Sequence, residues 1–198
     1  VKEMEVPMGV DTSICEAKDG VAVREQLHIA PEQKVVLYLG HGYLIRGLDV
    51  LIGAHAALSQ DRDVVLVLVL NPYELNERVC TLAMRTLPDH TLRIVKQFVP
   101  QVAPYYMAAD VVALPYLYSG EIPAYPLSML EAMACGKPVI TTRVGVIPRL
   151  IDGTNGVLVK PASVSELKGA IERVLTETSE AEQMGKRARQ SVAQFDWE

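Results

Sequence analysis

The chain has 198 residues, room for one ordinary domain or one plus a short extension, and 49% of them are apolar, enough to bury a core. A net charge of -5 and a pI near 5.4 argue against a nucleic-acid-binding chain, which carries a basic patch; a local pocket for one phosphate group stays possible. No stretch is polar or repetitive enough for disorder, and the longest apolar run, residues 64–70, falls far short of the roughly 20 residues of a membrane helix.

The first residues, Val1-Lys2-Glu3-Met4-Glu5, lack the apolar stretch of a signal peptide. Cys15, Cys80 and Cys135 are odd in number and widely spaced, with no metal-ligand or disulfide pattern. They read as separate thiols in a reducing compartment, so the expected location is cytoplasmic.

In chain order, residues 6–11 (VPMGVD) read as a strand entering a turn ahead of the first helix. Residues 34–39 (KVVLYL), 64–70 (VVLVLVL) and 110–114 (DVVAL) are β-branched runs expected to be strands buried on both faces. Residues 92–95, 138–141 and 156–159 are shorter candidates for the same sheet. Leu48, Leu51, Ile52, His55 and Leu58 follow helical spacing, as do Leu167, Ala170, Ile171, Val174 and Leu175. A last helix is expected from about Ser179, stopping at Phe195-Asp196-Trp197-Glu198, and an exposed terminal Trp suits a chain cut from something larger. Strand and helix alternate, which predicts an α/β domain: a doubly wound, Rossmann-like parallel sheet with right-handed crossovers. Ligands of such sheets bind beyond the carboxyl ends of the strands, here after Leu39, Leu70, Leu114 and Ile140.

Residues 115–125 (PYLYSGEIPAY) are rich in turn formers and aromatics, and a helix follows from about Pro126. Proline suits a first helical turn, Gly136 a helix end, and Pro138 cannot continue the helix. The first-turn amides near Leu127 and Ser128 point back at the sheet's carboxyl end, which makes an anion site. Glu131 stands beside the helix's apolar stripe and needs a partner, either a protein donor or the hydroxyls of a sugar or ribose. Glu121 lies at the mouth of the loop, where a solvated surface role and a ligand role both fit.

Residues 125–140 (YPLSMLEAMACGKPVI) closely resemble the signature of glycosyltransferase family 4, retaining enzymes with the two-domain GT-B fold. The resemblance covers nearly the whole chain. Residues 6–11 look like that family's interdomain linker, with Met8 in the place of an Asn, and residues 35–51 like its first strand, phosphate loop and helix. Residues 108–115 (AADVVALP), 145–148 and 155–161 are similar to further elements in the right order. Phe195-Asp196-Trp197 looks like the opening of its final crossover helix.

The resemblance implies the C-terminal, donor-binding half of a GT-B fold, with residues 1–17 as linker and 18–198 as the nucleotide-sugar-binding domain. It carries the family's ribose-binding Glu onto Glu131. The Glu that contacts the transferred sugar would stand eight residues earlier, where this chain has Pro123, and the nearest acid is Glu121. The diphosphate pair of the family falls on His41 and Arg46, in the loop that begins at Gly40. Arg46 is permanently charged and able to bind phosphate in a bidentate way, while His41 donates one hydrogen bond when neutral. The implied catalytic residues are Glu121 and Arg46, and the donor ligands Gly40, His41, Arg46, Leu127, Ser128 and Glu131. No metal and no cofactor besides the donor substrate is implied.

The expected activity is sugar transfer from a nucleotide diphosphate to a hydroxyl of a glycan, lipid or small acceptor. The acceptor site would lie in the other domain, so the 198 residues alone are expected to have little activity. Peripheral membrane association of the full protein is compatible with this reading. The alternative is a degenerate nucleotide-binding module without transferase activity, motivated by Pro123 and His41; an epimerase or phosphorylase of the same fold fits less well. Gly40-His41-Gly42 fails as a dinucleotide fingerprint because Ile45 occupies the third glycine's place. Asp61-Arg62-Asp63 precedes a strand instead of ending one and reads as a solvated turn, and Arg143 and Arg149 read as surface.

Overall fold

Six runs pair into one parallel sheet whose strands, from one edge to the other, are residues 92–95, 64–70, 34–40, 111–114, 139–142 and 157–159. The computed structural model describes residues 9–15, 19–60, 62–72, 76–117 and 125–197. The strands are β1 (Lys34–Gly40), β2 (Val64–Leu70), β3 (Leu92–Val95), β4 (Val111–Leu114), β5 (Val139–Thr142) and β6 (Val157–Val159). Every residue of β2 and β4 is buried, the expected result when helices cover both faces of a parallel sheet.

The helices are α1 (Val21–Gln26), α2 (Leu48–Leu58), α3 (Glu77–Thr86), α4 (Ala103–Ala108), α5 (Leu127–Ala134), α6 (Val164–Thr176) and α7 (Thr178–Val192). α2 packs against α3 and α6, whereas α1 packs against α4 and α5 against α7. The stripe anticipated on α2 is buried throughout, as are the five positions anticipated on α6. Each Leu or Ile so buried contributes roughly 1.5–3 kcal/mol relative to exposure.

The strand limits differ slightly from the sequence expectation. β4, β5 and β6 each start one residue later, at Val111, Val139 and Val157. Pro138 has no N–H for the ladder and only accepts, from the Val112 N–H at 3.0 Å. Asp110 is diverted by its side chain, which accepts from the Val35 N–H (2.8 Å), Arg24 (3.0 Å) and Lys34 (3.1 Å). This carboxylate ties α1, β1 and β4 together at the amino end of the sheet, opposite the carboxyl edge.

The segment of residues 9–15 runs beside the end of the chain. Val10 bridges to Asp196, with its N–H donating to Phe195 O at 2.9 Å, and the Thr12 hydroxyl donates to the Asp196 carboxylate. Cys15 is disulfide-bonded to Cys135 at the end of α5, with Cα atoms 5.1 Å apart. This corrects the expectation of separate thiols: the partners lie 120 residues apart, and only the folded chain brings them to bonding distance. Cys80 is free and buried.

His55 belongs to the apolar stripe of α2 and is fully buried. Its Nε2 lies 3.1 Å from Thr91 O, while Nδ1 is buried with no hydrogen-bond partner among the described residues. The ring is therefore held neutral as the Nε2–H tautomer, and burial lowers its pKa to about 4, against the partial offset of the Thr91 carbonyl.

Two outcomes follow from these features. Between pH 6.5 and 4 the unfolded state binds a proton at His55 that the folded state refuses. Urea stability should hold above pH 6.5 and fall by on the order of 3 kcal/mol as the pH drops to 4, with His55→Gln removing that part of the slope. Thiol titration of the denatured, unreduced chain should find one free cysteine, Cys80, and reduction should lower the melting temperature, because a cross-link closing so long a loop stabilises by on the order of 4 kcal/mol.

Candidate functional site

The connections of the sheet diverge at β1 and β4. The chain leaving β1 continues toward β2 on one side, the chain leaving β4 toward β5 on the other. In open α/β sheets this reversal places a ligand crevice at the carboxyl ends of the two strands.

β1 ends at Gly40, whose φ of +150° only glycine adopts readily and whose carbonyl accepts from the Asn71 N–H at 3.1 Å. A short 3-10 turn, Leu44–Arg46, follows, and then Gly47 with φ +77° opens α2. A Cβ on Gly47 would stand 1.8 Å from the carbonyl oxygen of Pro115, just past β4. The close approach lets the Leu117 N–H donate to Ile45 O at 3.3 Å, so the two loops are joined.

Arg46 gains its place from that junction. Its guanidinium carbon lies 5.5 Å from the centroid of the Tyr116 ring, a cation–π arrangement. Its Nε is buried without a hydrogen-bond partner among the described residues. A buried charged donor left unpaired is costly unless something else accepts from it, and an anion in the crevice is such an acceptor. His41 behaves differently. It is exposed and stacks on Tyr43 at 5.9 Å with an interplanar angle of 6°. Its carbonyl accepts from the Tyr38 hydroxyl at 2.7 Å.

The other wall is α5. Pro126 is its N-cap in extended conformation, so the helix begins at Leu127, one residue later than the sequence suggested, and the Pro126 carbonyl accepts from the Met129 and Leu130 amides (3.0 and 3.1 Å). The amides of Leu127 and Ser128 therefore precede the first intrahelical bond, at the positive end of the helix dipole. Glu131 lies one turn in. The Tyr106 hydroxyl donates to its Oε2 at 2.8 Å and also lies 3.2 Å from Ser128 O. The Tyr116 hydroxyl lies 3.4 Å from Ser128 Oγ.

Burial pushes the Glu131 carboxyl above its ordinary 4.5, and the bond from Tyr106 only partly offsets this. Tyr106 and Tyr116, both buried, are themselves raised by burial and stay protonated.

The structure thus gathers Arg46, Ser128 and Glu131 around two buried tyrosines at the edge where Gly40 and Leu127 also lie. Glu121 and Pro123 fall outside the described residues, as does most of the preceding loop. Arg143 and Arg149 are exposed, as expected. Tyr106 and Tyr116 escaped the sequence reading; Tyr116 lay within the aromatic loop it singled out, whereas Tyr106 is recognisable only by its contact across α4 and α5. Among the described residues no group of three or more His, Cys, Asp or Glu is placed to hold a metal ion, and no helix is long and apolar enough to cross a membrane.

These features define a doubly wound, Rossmann-like α/β domain of the kind that forms half of a GT-B fold. The chain belongs to the glycosyl transferases group 1 family, which its residues 22–191 match. It is 32% identical to a D-inositol 3-phosphate glycosyltransferase of Kribbella flavida over 201 residues, 96% of this chain and 46% of that protein. It is 32% identical to an MMP alpha-(1->4)-mannosyltransferase of Mycolicibacterium hassiacum over 200 residues, 98% of this chain and 44% of that one. A sucrose-phosphate synthase from Thermosynechococcus elongatus matches its fold with a TM-score of 0.82 at 31% identity, over 97% of this chain and 48% of the synthase. The chain spans about half the length of the relatives it matches.

Because the folded Glu131 holds its proton more tightly than the unfolded chain does, ionising it costs stability as pH rises past 4.5 through its raised folded value. Glu131→Gln should therefore melt higher than the parent at pH 7, with the gain vanishing below pH 4.5; an unchanged difference across that range would contradict the assigned direction.

Proposed function

We propose that the chain is the C-terminal, donor-binding half of a retaining family 4 glycosyltransferase, which moves a hexose-type sugar from a nucleotide diphosphate to a hydroxyl acceptor. The observation that carries this reading is the buried Nε of Arg46, without a hydrogen-bond partner among the described residues, at the edge where the first turn of α5 also lies. In this reading Arg46 and the amides of Leu127 and Ser128 hold the diphosphate and stabilise its charge as the sugar departs. Glu131 accepts from the ribose, Gly40 lets the donor approach the backbone, and Glu121 orients the sugar. His41 adds a hydrogen bond to the phosphates after turning from Tyr43. With the leaving group held by Arg46 and helix amides, the chemistry needs no metal.

Support for the donor half comes from the membership of the group 1 family and from relatives named as glycosyl- and mannosyltransferases. Residues 1–17 serve as the linker to a second domain that supplies the acceptor site, and the 198 residues alone bind donor without turnover. The exposed His41, stacked away on Tyr43, favours one rival reading, a module that binds nucleotide but transfers nothing.

Titration of the chain with UDP, GDP and ADP should find one tight ligand. Arg46→Ala should weaken it by about 10- to 100-fold, the worth of a charge-assisted hydrogen bond. Joined to its second domain, the protein should release sugar from the matching donor. Binding without release from any nucleotide sugar favours the rival module, and affinity indifferent to Arg46→Ala and Glu131→Ala would remove the site.

A further inference from the structure

Glu131 does not sit free in the crevice. Its Oε2 is taken from the protein side by the Tyr106 hydroxyl at 2.8 Å, which leaves Oε1 as the oxygen for a ligand. Tyr106 reaches it from α4, a different element, and its ring is fully buried, so the phenol has little freedom to turn. A phenol has one proton and two acceptors within reach here, Glu131 Oε2 and Ser128 O. The carboxylate is the stronger acceptor because it is charged. The same Ser128 shares a hydrogen bond between its Oγ and the Tyr116 hydroxyl, and the Tyr116 ring carries Arg46.

We propose that Tyr106 is a positioning residue: its hydroxyl fixes the rotamer of Glu131 so that Oε1 faces the ribose hydroxyls of a bound nucleotide, which makes it a determinant of ribose recognition. This rests on the ribose role given to Glu131 above. The phenol's donation also opposes the upward push of burial on the half-buried carboxyl. Tyr106 touches no ligand; it acts through Glu131.

The experiment is calorimetric binding of the preferred nucleotide among UDP, GDP and ADP, together with its 2′-deoxy and 3′-deoxy forms. The ratio of deoxy to parent Kd reads ribose recognition separately from phosphate affinity and from stability. The parent chain should discriminate by about tenfold or more at one hydroxyl, the scale of a hydrogen bond to a charged acceptor. Tyr106→Phe, which keeps the ring that fills the core, should cut this ratio several-fold. In the Glu131→Gln background, where discrimination is already near unity, Tyr106→Phe should change it no further. Loss of the Ser128 contact is common to both backgrounds and cancels, and melting curves confirm that each variant is folded. Undiminished discrimination in Tyr106→Phe, or an equal loss in both backgrounds, would overturn the positioning role while leaving the ribose role standing. Discrimination that survives Glu131→Gln defeats the ribose role itself, and the positioning role with it.

Discussion

The contact between Gly47 and Pro115 is the constraint on which the ligand edge depends. β1 and β4 pair side by side, yet the chain must leave them in opposite directions, so two loops crowd one edge of the sheet. A left-handed residue with no side chain lets the first loop press its backbone onto the second. Arg46 precedes that glycine and Tyr116 follows that proline, so the close approach lays the guanidinium over the ring. The placement of this cation at the sheet's carboxyl edge is a consequence of how tightly the backbone can pack there.

Buried polar groups divide by position. At the amino end of the sheet Asp110 is saturated by Arg24, Lys34 and a backbone amide, and its work is structural. At the carboxyl end the buried Nε of Arg46 has no hydrogen-bond partner among the described residues, and burial raises the Glu131 carboxyl. Unpaired or strained polar groups cost stability, and a fold tolerates them where a ligand repays the cost. His55 warns against reading every orphan as a site: its Nδ1 also has no hydrogen-bond partner among the described residues, yet the ring lies fully buried in the apolar stripe of α2, with Nε2 on Thr91 O.

The disulfide links this edge to the rest of the chain. α5 presents its first turn to the crevice and ends at Cys135, which is bonded to Cys15 in the segment of residues 9–15. That segment is also bridged to Asp196, and Tyr125, just before α5, packs edge-on against Phe195 at 5.4 Å. Both ends of the described chain are thereby anchored around one helix.

Alternating apolar runs and helical stripes were enough to predict the parallel sheet, because a strand buried on both faces and an amphipathic helix have unmistakable periods. The signature from Tyr125 to Ile140 placed Glu131 and the first turn of α5, since their spacing is local to one helix. By itself the sequence determined the six strands, the fold class, the membership of the group 1 transferases and the edge of the sheet to search, but not the helices α3 and α4. Tertiary structure alone decided the Cys15–Cys135 bond, the tyrosine beneath Arg46 and the tyrosine behind Glu131. Those pairs are joined across 120, 70 and 25 residues, by contacts between different elements. Periodicity reports which way a side chain faces within its own element; which neighbour it meets is set only when the sheet and its crossovers have packed.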